Sequence, residues 1–258
     1  MIKKITAKSL KKADILTSVA IRLVKLTGKS KNAIHPKHLI KPLSPWYANH
    51  IKKTDSVLDI GCGIGQESIV CAKLAKSVTG FDISSKNITI AKNLARENNL
   101  KNVKFFVHNA ENNLPFANNT FDKILIFDVL EHLKNRDKLI KEVIRLLKKN
   151  GKLFLLTDNP ETSWKNFQKS AGIFYYADID HKYEYSKEDI KKFLKNNGFK
   201  IISIKPDTFD TPLKPFIDLI GGFSLKLYLQ ISKWREEMAL KNPNESTGFK
   251  IICQKNSL

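Results

Sequence analysis

Arginine is scarce in this chain. Only five of its 45 basic residues are arginines (Arg22, Arg96, Arg136, Arg145 and Arg235), although the formal net charge is +20. Base and phosphate recognition favours the planar guanidinium fork over the lysine ammonium. The lysines are spread along the whole chain. The charge therefore reads as a solvated, lysine-biased surface, and nucleic acid is not the expected partner. Long apolar runs are missing too. No stretch approaches the eighteen or so uninterrupted apolar residues of a membrane-spanning helix. The basic start, "MIKKITAKSLKKADILTSVAIRLVKL", has its apolar residues broken by Lys and Arg and no clear cleavage site, so it does not read as a secretory signal. Cysteine is limited to Cys62, Cys71 and Cys253, far apart. That spacing makes neither a metal set nor a disulfide framework and suits a reducing, cytoplasmic setting. No internal repeat is visible.

What is present is the composition of an ordinary globular chain, 258 residues with 42% hydrophobic and 27% charged. From Val57 onward, short apolar runs alternate with amphipathic stretches, the mark of successive βα units. "SVLDI", "SVTGFDI", "VKFFVH", "FDKILIFDVL" (Phe121 to Leu130) and "KLFLLT" (Lys152 to Thr157) read as five strands, and "FKIISI" and "GFKIICQK" as two more. Helices are expected from Gln66 to Lys76, from a Ser84-Ser85 cap through Arg96, after an Asn135 cap, and after a Ser186 cap as far as Gly198. Gly151 is expected in a left-handed conformation just past the Asn135 helix. The reading divides the chain into an N-terminal helical cap (1–50), an α/β core (51–205), an apolar and basic insertion (206–245) and the last core strand (246–258).

The turn after the first strand is the chemical signal. "VLDIGCGIGQ" places Gly61, Gly63 and Gly65 at alternate positions, and a dinucleotide fingerprint would need glycine where Gln66 stands. Open parallel sheets bind ligands beyond the carboxyl ends of their strands, where bare backbone and free helix N–H groups are available. Asp82, ending the second strand, has the chemistry to accept two ribose hydroxyls. Asp59 is an acid in a strand that should otherwise be buried, and Asn109 could pair with an adenine edge.

Here the sequence resembles a family. "VLDIGCGIGQ", "VTGFDIS", "VHNAENNLPF", "FDKILIFDVLEHL" and "LLKKNGKLFLLT" look like the successive motifs of class I S-adenosylmethionine-dependent methyltransferases, most of all the group with the ubiquinone-biosynthesis O-methyltransferases. The resemblance implies a doubly wound, mostly parallel seven-stranded sheet, Rossmann-like, with the last strand antiparallel. It implies S-adenosyl-L-methionine as cofactor. Asp59 and the turn Gly61, Cys62, Gly63 and Gly65 would face its methionine part. Asp82 would hold the ribose, Ile83 would pack on the adenine, and Asn109 and Ala110 would read the adenine edge. Asp128 and Val129 would lie near the sulfonium. The family has Asp where Asn109 stands, so this position keeps hydrogen bonding without charge.

Methyl transfer to a hydroxyl is helped by a base. His132, in "DVLEHL", and His181 are the candidates. Glu131 beside His132 makes only one Glu-His pair, so no metal is expected. Methylation of base amines would need an Asn/Asp-Pro-Pro-aromatic motif after the fourth strand, and "DVLEHL" stands there instead. The apolar 206–245 segment, interrupted by lysines, suits capping, core packing or a membrane surface. The leading expectation is O-methylation of a small or lipophilic acceptor by a cytoplasmic enzyme, with peripheral contact at the inner membrane surface left open. RNA methylation and cofactor binding without catalysis are the alternatives.

Overall fold

The structure, a computed structural model, describes residues 15–40 and 45–256. The basic segment 1–14 and the stretch 41–44 lie outside the described residues. The chain forms two compact units. One comprises Ser44–Asp158, Asp180–Lys205 and Phe249–Leu258. The other draws on Met1–Leu43, Asn159–Ile179 and Pro206–Gly248.

The first unit holds the expected sheet. Its strands are β1 (Ser56–Ile60), β2 (Ser77–Asp82), β3 (Val103–Val107), β4 (Phe121–Phe127), β5 (Leu147–Asp158), β6 (Phe199–Pro206) and β7 (Gly248–Lys255), in the order β3-β2-β1-β4-β5-β7-β6. The first five pair in parallel. β7 runs opposite to its neighbours. Asn256 N–H donates to the Gly198 carbonyl at the start of β6, while Asp207 N–H donates to Gly248 past its end. The Lys255 ammonium likewise reaches the Leu147 carbonyl at the start of β5. β1 and β4 are almost wholly buried, as central parallel strands must be, and Leu58, Ile60, Ile124 and Ile126 lie in the main core.

The connecting helices start where local chemistry directs. In α2 (Gln66–Leu74) the residue before the first turn is Gly65. In α3 (Ser85–Glu97) the Ser84 hydroxyl accepts from Asn87 N–H. In α4 (Arg136–Leu146) Asn135 accepts from Lys138 N–H, and in α6 (Lys187–Asn196) Ser186 accepts from Asp189 N–H.

Two local expectations need correction. The fourth strand stops at Phe127, because Asp128 takes φ +54° and a 3-10 turn, Leu130–His132, follows at once. Gly151 is not left-handed. α4 runs directly into β5 at Leu147, Gly151 lies inside the strand, and Asn150 carries the positive φ of 61°.

The second unit contains α1 (Ile15–Leu26), α5 (Ser163–Ser170), α7 (Lys214–Phe223) and α8 (Leu225–Lys241). Here α1 packs on α7 closely enough that a Cβ on Gly222 would lie 3.0 Å from Leu23 and 3.2 Å from Ala20. No helix among the described residues is long and apolar enough to cross a membrane.

Candidate active site

The turn after β1 is stitched to β2. Cys62 N–H donates to the Phe81 carbonyl at 2.9 Å, and Gly65 N–H donates to the Cys62 carbonyl at 2.8 Å. The three glycines have φ of 68°, 52° and 82°. Gly65 must be bare for packing, since a Cβ there would sit 2.8 Å from Ala91 and 2.9 Å from Phe105. Gly63 differs. A Cβ on it would meet nothing within 4 Å, so its backbone faces open space at the carboxyl edge of the sheet. Gly61 closes against the turn after β4, where Val129 fills the room a side chain would need. The Cys62 thiol packs with Ile69 and Ile88, and burial pushes its pKa far up, so this residue reaches the turn through its backbone.

Asp82 is aimed at the same turn. Its Oδ2 accepts from Gly63 N–H at 2.9 Å, and its Oδ1 accepts from Ser84 N–H at 2.8 Å and from the Asn87 amide at 3.4 Å. Beside it the Ile83 side chain is 69% exposed. Asn109 is partly occupied, because its side-chain oxygen accepts from Glu111 N–H at 2.9 Å. Its amide group is the end with donors to offer. Ala110 packs beside the main core, and Asp128 is exposed at the end of β4.

Asp59 is buried beneath the turn, hydrogen-bonded by the Ser68 hydroxyl of α2. Burial, reinforced by the charges of Glu67 and Asp82, lifts its pKa from 3.8 to about 7. The folded protein thus keeps a proton that the unfolded chain releases. Stability is therefore expected to fall as pH rises from about 4 to about 7 and to level off above that. Asp59→Asn should flatten this limb, so that its melting temperature gains on the parent between about pH 5 and pH 8. Thermal melts across that range check it, and parallel profiles for the two proteins would refute it.

Glu67 and Tyr47 also belong to this region, and no motif marks them. The Tyr47 hydroxyl donates to the Glu67 carboxylate, while its ring lies against Phe127 and Phe154. Burial raises the Glu67 pKa, Tyr47 opposes the shift, and the nearby Asp128 adds to it. An acid in the first turn of the helix after a glycine-rich corner was the available signal.

The two candidate bases come together. The His132 and His181 rings are 4.6 Å apart, edge to face. Their settings differ, because His132 is exposed and His181 is buried. Nδ1 of His181 donates to Glu184 Oε1 at 2.8 Å, and Asp158 Oδ2 lies 3.7 Å away. Glu131, wholly buried, completes a group with Asp158 and His181. Burial and the charges of Asp158, Asp128 and Glu184 push its carboxyl pKa well up.

Comparison with known proteins agrees with this architecture. A methyltransferase-domain family model matches residues 51–205, more than half of the chain. The ubiquinone biosynthesis O-methyltransferase of Coxiella burnetii is 37% identical over 210 residues, covering 77% of this chain and 85% of that protein. The protein of the same name from Pelagibacter ubique is 42% identical over 107 residues, but the match spans only 43% of its length. Among solved structures, YcgJ of Bacillus subtilis superposes with a TM-score of 0.55 at 21% identity, covering 81% of this chain and 94% of its own. A methyltransferase from Methanosarcina mazei gives 0.58 at 24%, covering 83% and 99%. The glycine corner with its facing acid, the seven-stranded order and these matches lead to one assignment: the chain belongs to the S-adenosylmethionine-dependent methyltransferases, enzymes that take S-adenosyl-L-methionine as methyl donor.

Proposed function

We propose that the protein O-methylates a small, lipophilic hydroxyl compound. The observation that carries this reading is the similarity to the Coxiella O-methyltransferase, which extends well beyond the cofactor motifs. Bound at the glycine corner, S-adenosylmethionine supplies an already activated methyl group, so the protein's main task is alignment.

In this reading Asp82 grips the ribose, Ile83 forms a shelf for the adenine and the Asn109 amide meets its edge, with Ala110 alongside. The open face of Gly63, flanked by Gly61, Cys62 and Gly65, admits the methionine part. Asp59 supports that turn from below. Asp128 and Val129 border the reacting end. A carboxylate offers about four acceptor positions, of which three are taken in Asp82. Ribose hydroxyls can use the remaining one and replace the long Asn87 contact. In this reading His132, exposed beside the buried His181, takes the acceptor's hydroxyl proton, with the His181 ring packed edge to face against it.

Exposed Phe216, Phe223, Leu227, Trp234 and Leu240 on the two helices α7 and α8 suit contact with a membrane surface. A cytoplasmic enzyme working at the inner membrane surface fits them.

Methyl-labelled S-adenosylmethionine incubated with the protein and either a membrane lipid extract or total RNA decides among the readings. Label is expected in an organic-extractable product whose methyl group resists mild alkali, as an ether does and an ester does not. Label in RNA would replace this reading with RNA methylation. Binding without transfer to either extract would favour a non-catalytic role.

A further inference from the structure

The sheet ends at β3, which pairs with β2 on one side only. Val78 N–H donates to the Asn102 carbonyl at 2.8 Å just before β3, and His108 N–H donates to the Asp82 carbonyl at 3.0 Å just after it. The even-numbered residues therefore turn their backbone groups toward β2. Alternation turns those of Val103, Phe105 and Val107 outward. Among the described residues none of these outward amides and carbonyls has a backbone partner.

A groove of about 440 Å³ lies between β3 and the C-terminal half of α3. Successive strand residues face opposite sides of a sheet, yet Lys104 and Phe105 both line this groove. It therefore reaches the strand's free edge and not one face alone. Its floor is apolar, with Ala95 and Phe105 at 6% and 7% exposure beside Leu100 and Val103. Its walls are basic. Lys92 and Arg96 stand one turn apart on α3, and Lys104 stands on β3. All three are exposed, and no acidic residue lines the groove. Among the described residues no carboxylate pairs with any of them.

We propose that this edge binds an acidic, extended segment of a partner protein, which adds to the sheet as a further strand. The outward amides and carbonyls supply its main-chain bonds, and the apolar floor receives its apolar side chains. The three cations pair with the acids that alternate with them. Lysine at a sheet edge ordinarily guards against pairing with another strand. Here the guard discriminates by sign. It repels a second copy of this chain, whose own edge is equally basic and whose net charge is +20, and admits an acidic strand. A membrane is a poorer fit, because the apolar floor is buried. So is RNA, because Phe105 is too buried to stack a base. The groove lies at the start of β3, whereas Asn109 follows its end, so this binding does not rest on the function proposed above.

The probe is a fluorescein-labelled heptapeptide alternating valine with glutamate, titrated by anisotropy against the full chain at about 50 mM salt. Saturable binding with Kd of about 100 μM or tighter is expected, weakening as salt rises. Arg96→Glu combined with Lys104→Glu should weaken it about tenfold or more and create binding of the matching valine–lysine peptide. Both side chains are exposed, so the melting temperature and S-adenosylmethionine binding should stay as in the parent. Lys92→Glu, on the helix wall alone, should weaken the acidic peptide in the same direction. Two N-methylated forms of that peptide test the strand pairing, one methylated at every valine and one at every glutamate. Only alternate amides face an edge, so one form should lose about tenfold or more and the other should bind nearly as the parent peptide does. Equal binding by all three peptides would mean charge attraction without strand addition and overturns the proposal. So does undiminished binding by the double reversal, or no saturable binding by the parent up to about 1 mM. Total RNA bound through Arg96 and Lys104, with the acidic peptide unbound, would replace the proposal with a polyanion site.

Discussion

Asp82→Ala should weaken S-adenosylmethionine binding about a hundredfold, roughly 3 kcal/mol, in a titration calorimeter. The expectation has two sources. The lost carboxylate would have accepted two ribose hydroxyls, and hydrogen bonds to a charged acceptor are worth about 1.5–3 kcal/mol each. It also stops holding the glycine corner, since Gly63 N–H and Ser84 N–H both lose their acceptor. Asp82→Asn separates the two effects. Its amide oxygen can still accept from Gly63, so the corner survives while the charge is gone, and affinity should fall between the parent and the alanine variant. The fold should persist in both, because Asp82 lies at the sheet edge and not within the core. An affinity for Asp82→Ala within about threefold of the parent would remove the ribose assignment altogether.

A second large effect is expected far from that corner in sequence, within the helical unit. Asp218 of α7 has 0% exposure and gathers four donors. Thr17 Oγ1 lies at 2.9 Å, Lys214 Nζ at 2.6 Å and His35 Nε2 at 3.2 Å from Oδ2, and Tyr228 OH at 3.3 Å from Oδ1. The His35 tautomer is set from the other side, because its Nδ1 accepts from Lys37 N–H at 3.0 Å. Removing a buried acid from such a set leaves its partners stranded and typically costs about 3–5 kcal/mol. Asp218→Ala should show that loss in urea unfolding at neutral pH. Burial alone would raise the Asp218 pKa, but the His35 hydrogen bond and the Lys214 charge outweigh it and hold the pKa below the ordinary carboxylate range. For an acid with a depressed pKa the stabilisation is present above the unfolded value, near 3.9, and disappears as pH falls below it. The gap between parent and variant should therefore narrow on acidification below about pH 4. A neutral-pH difference under about 1 kcal/mol would contradict the network's importance.

How much of this could be read from the chain depends on the range of the interactions involved. The sheet, the capped helices at Ser84, Asn135 and Ser186, and the glycine corner follow from side chains within a few residues of where they act. Asp82 was legible for a related reason, since strand ends in a parallel sheet converge on one edge. Local signals failed where the chain changes state abruptly. Nothing around "KKNGK" distinguishes a left-handed Gly151 from a left-handed Asn150, and pairing with β4 decides in favour of the strand. The acidic group at Glu131 was least legible. Its members belong to three segments, and only the parallel pairing of β4 with β5 and the hydrogen-bonded return of residues 182–185 bring them together. Tyr47 was hidden for the same reason, whereas Glu67 had a local signal in its place one residue into the helix after the glycine corner.

The position of β7 in the sheet has a consequence for how the chain is made. This strand lies between β5 and β6, yet both neighbours precede it in sequence. While the nascent polypeptide leaves the ribosome, β5 offers a bare row of amides and carbonyls and β6 has no mate until residues 248–255 emerge. Exposed edges of that kind invite pairing with foreign strands, so the insertion of residues 248–255 closes two aggregation-prone edges at once.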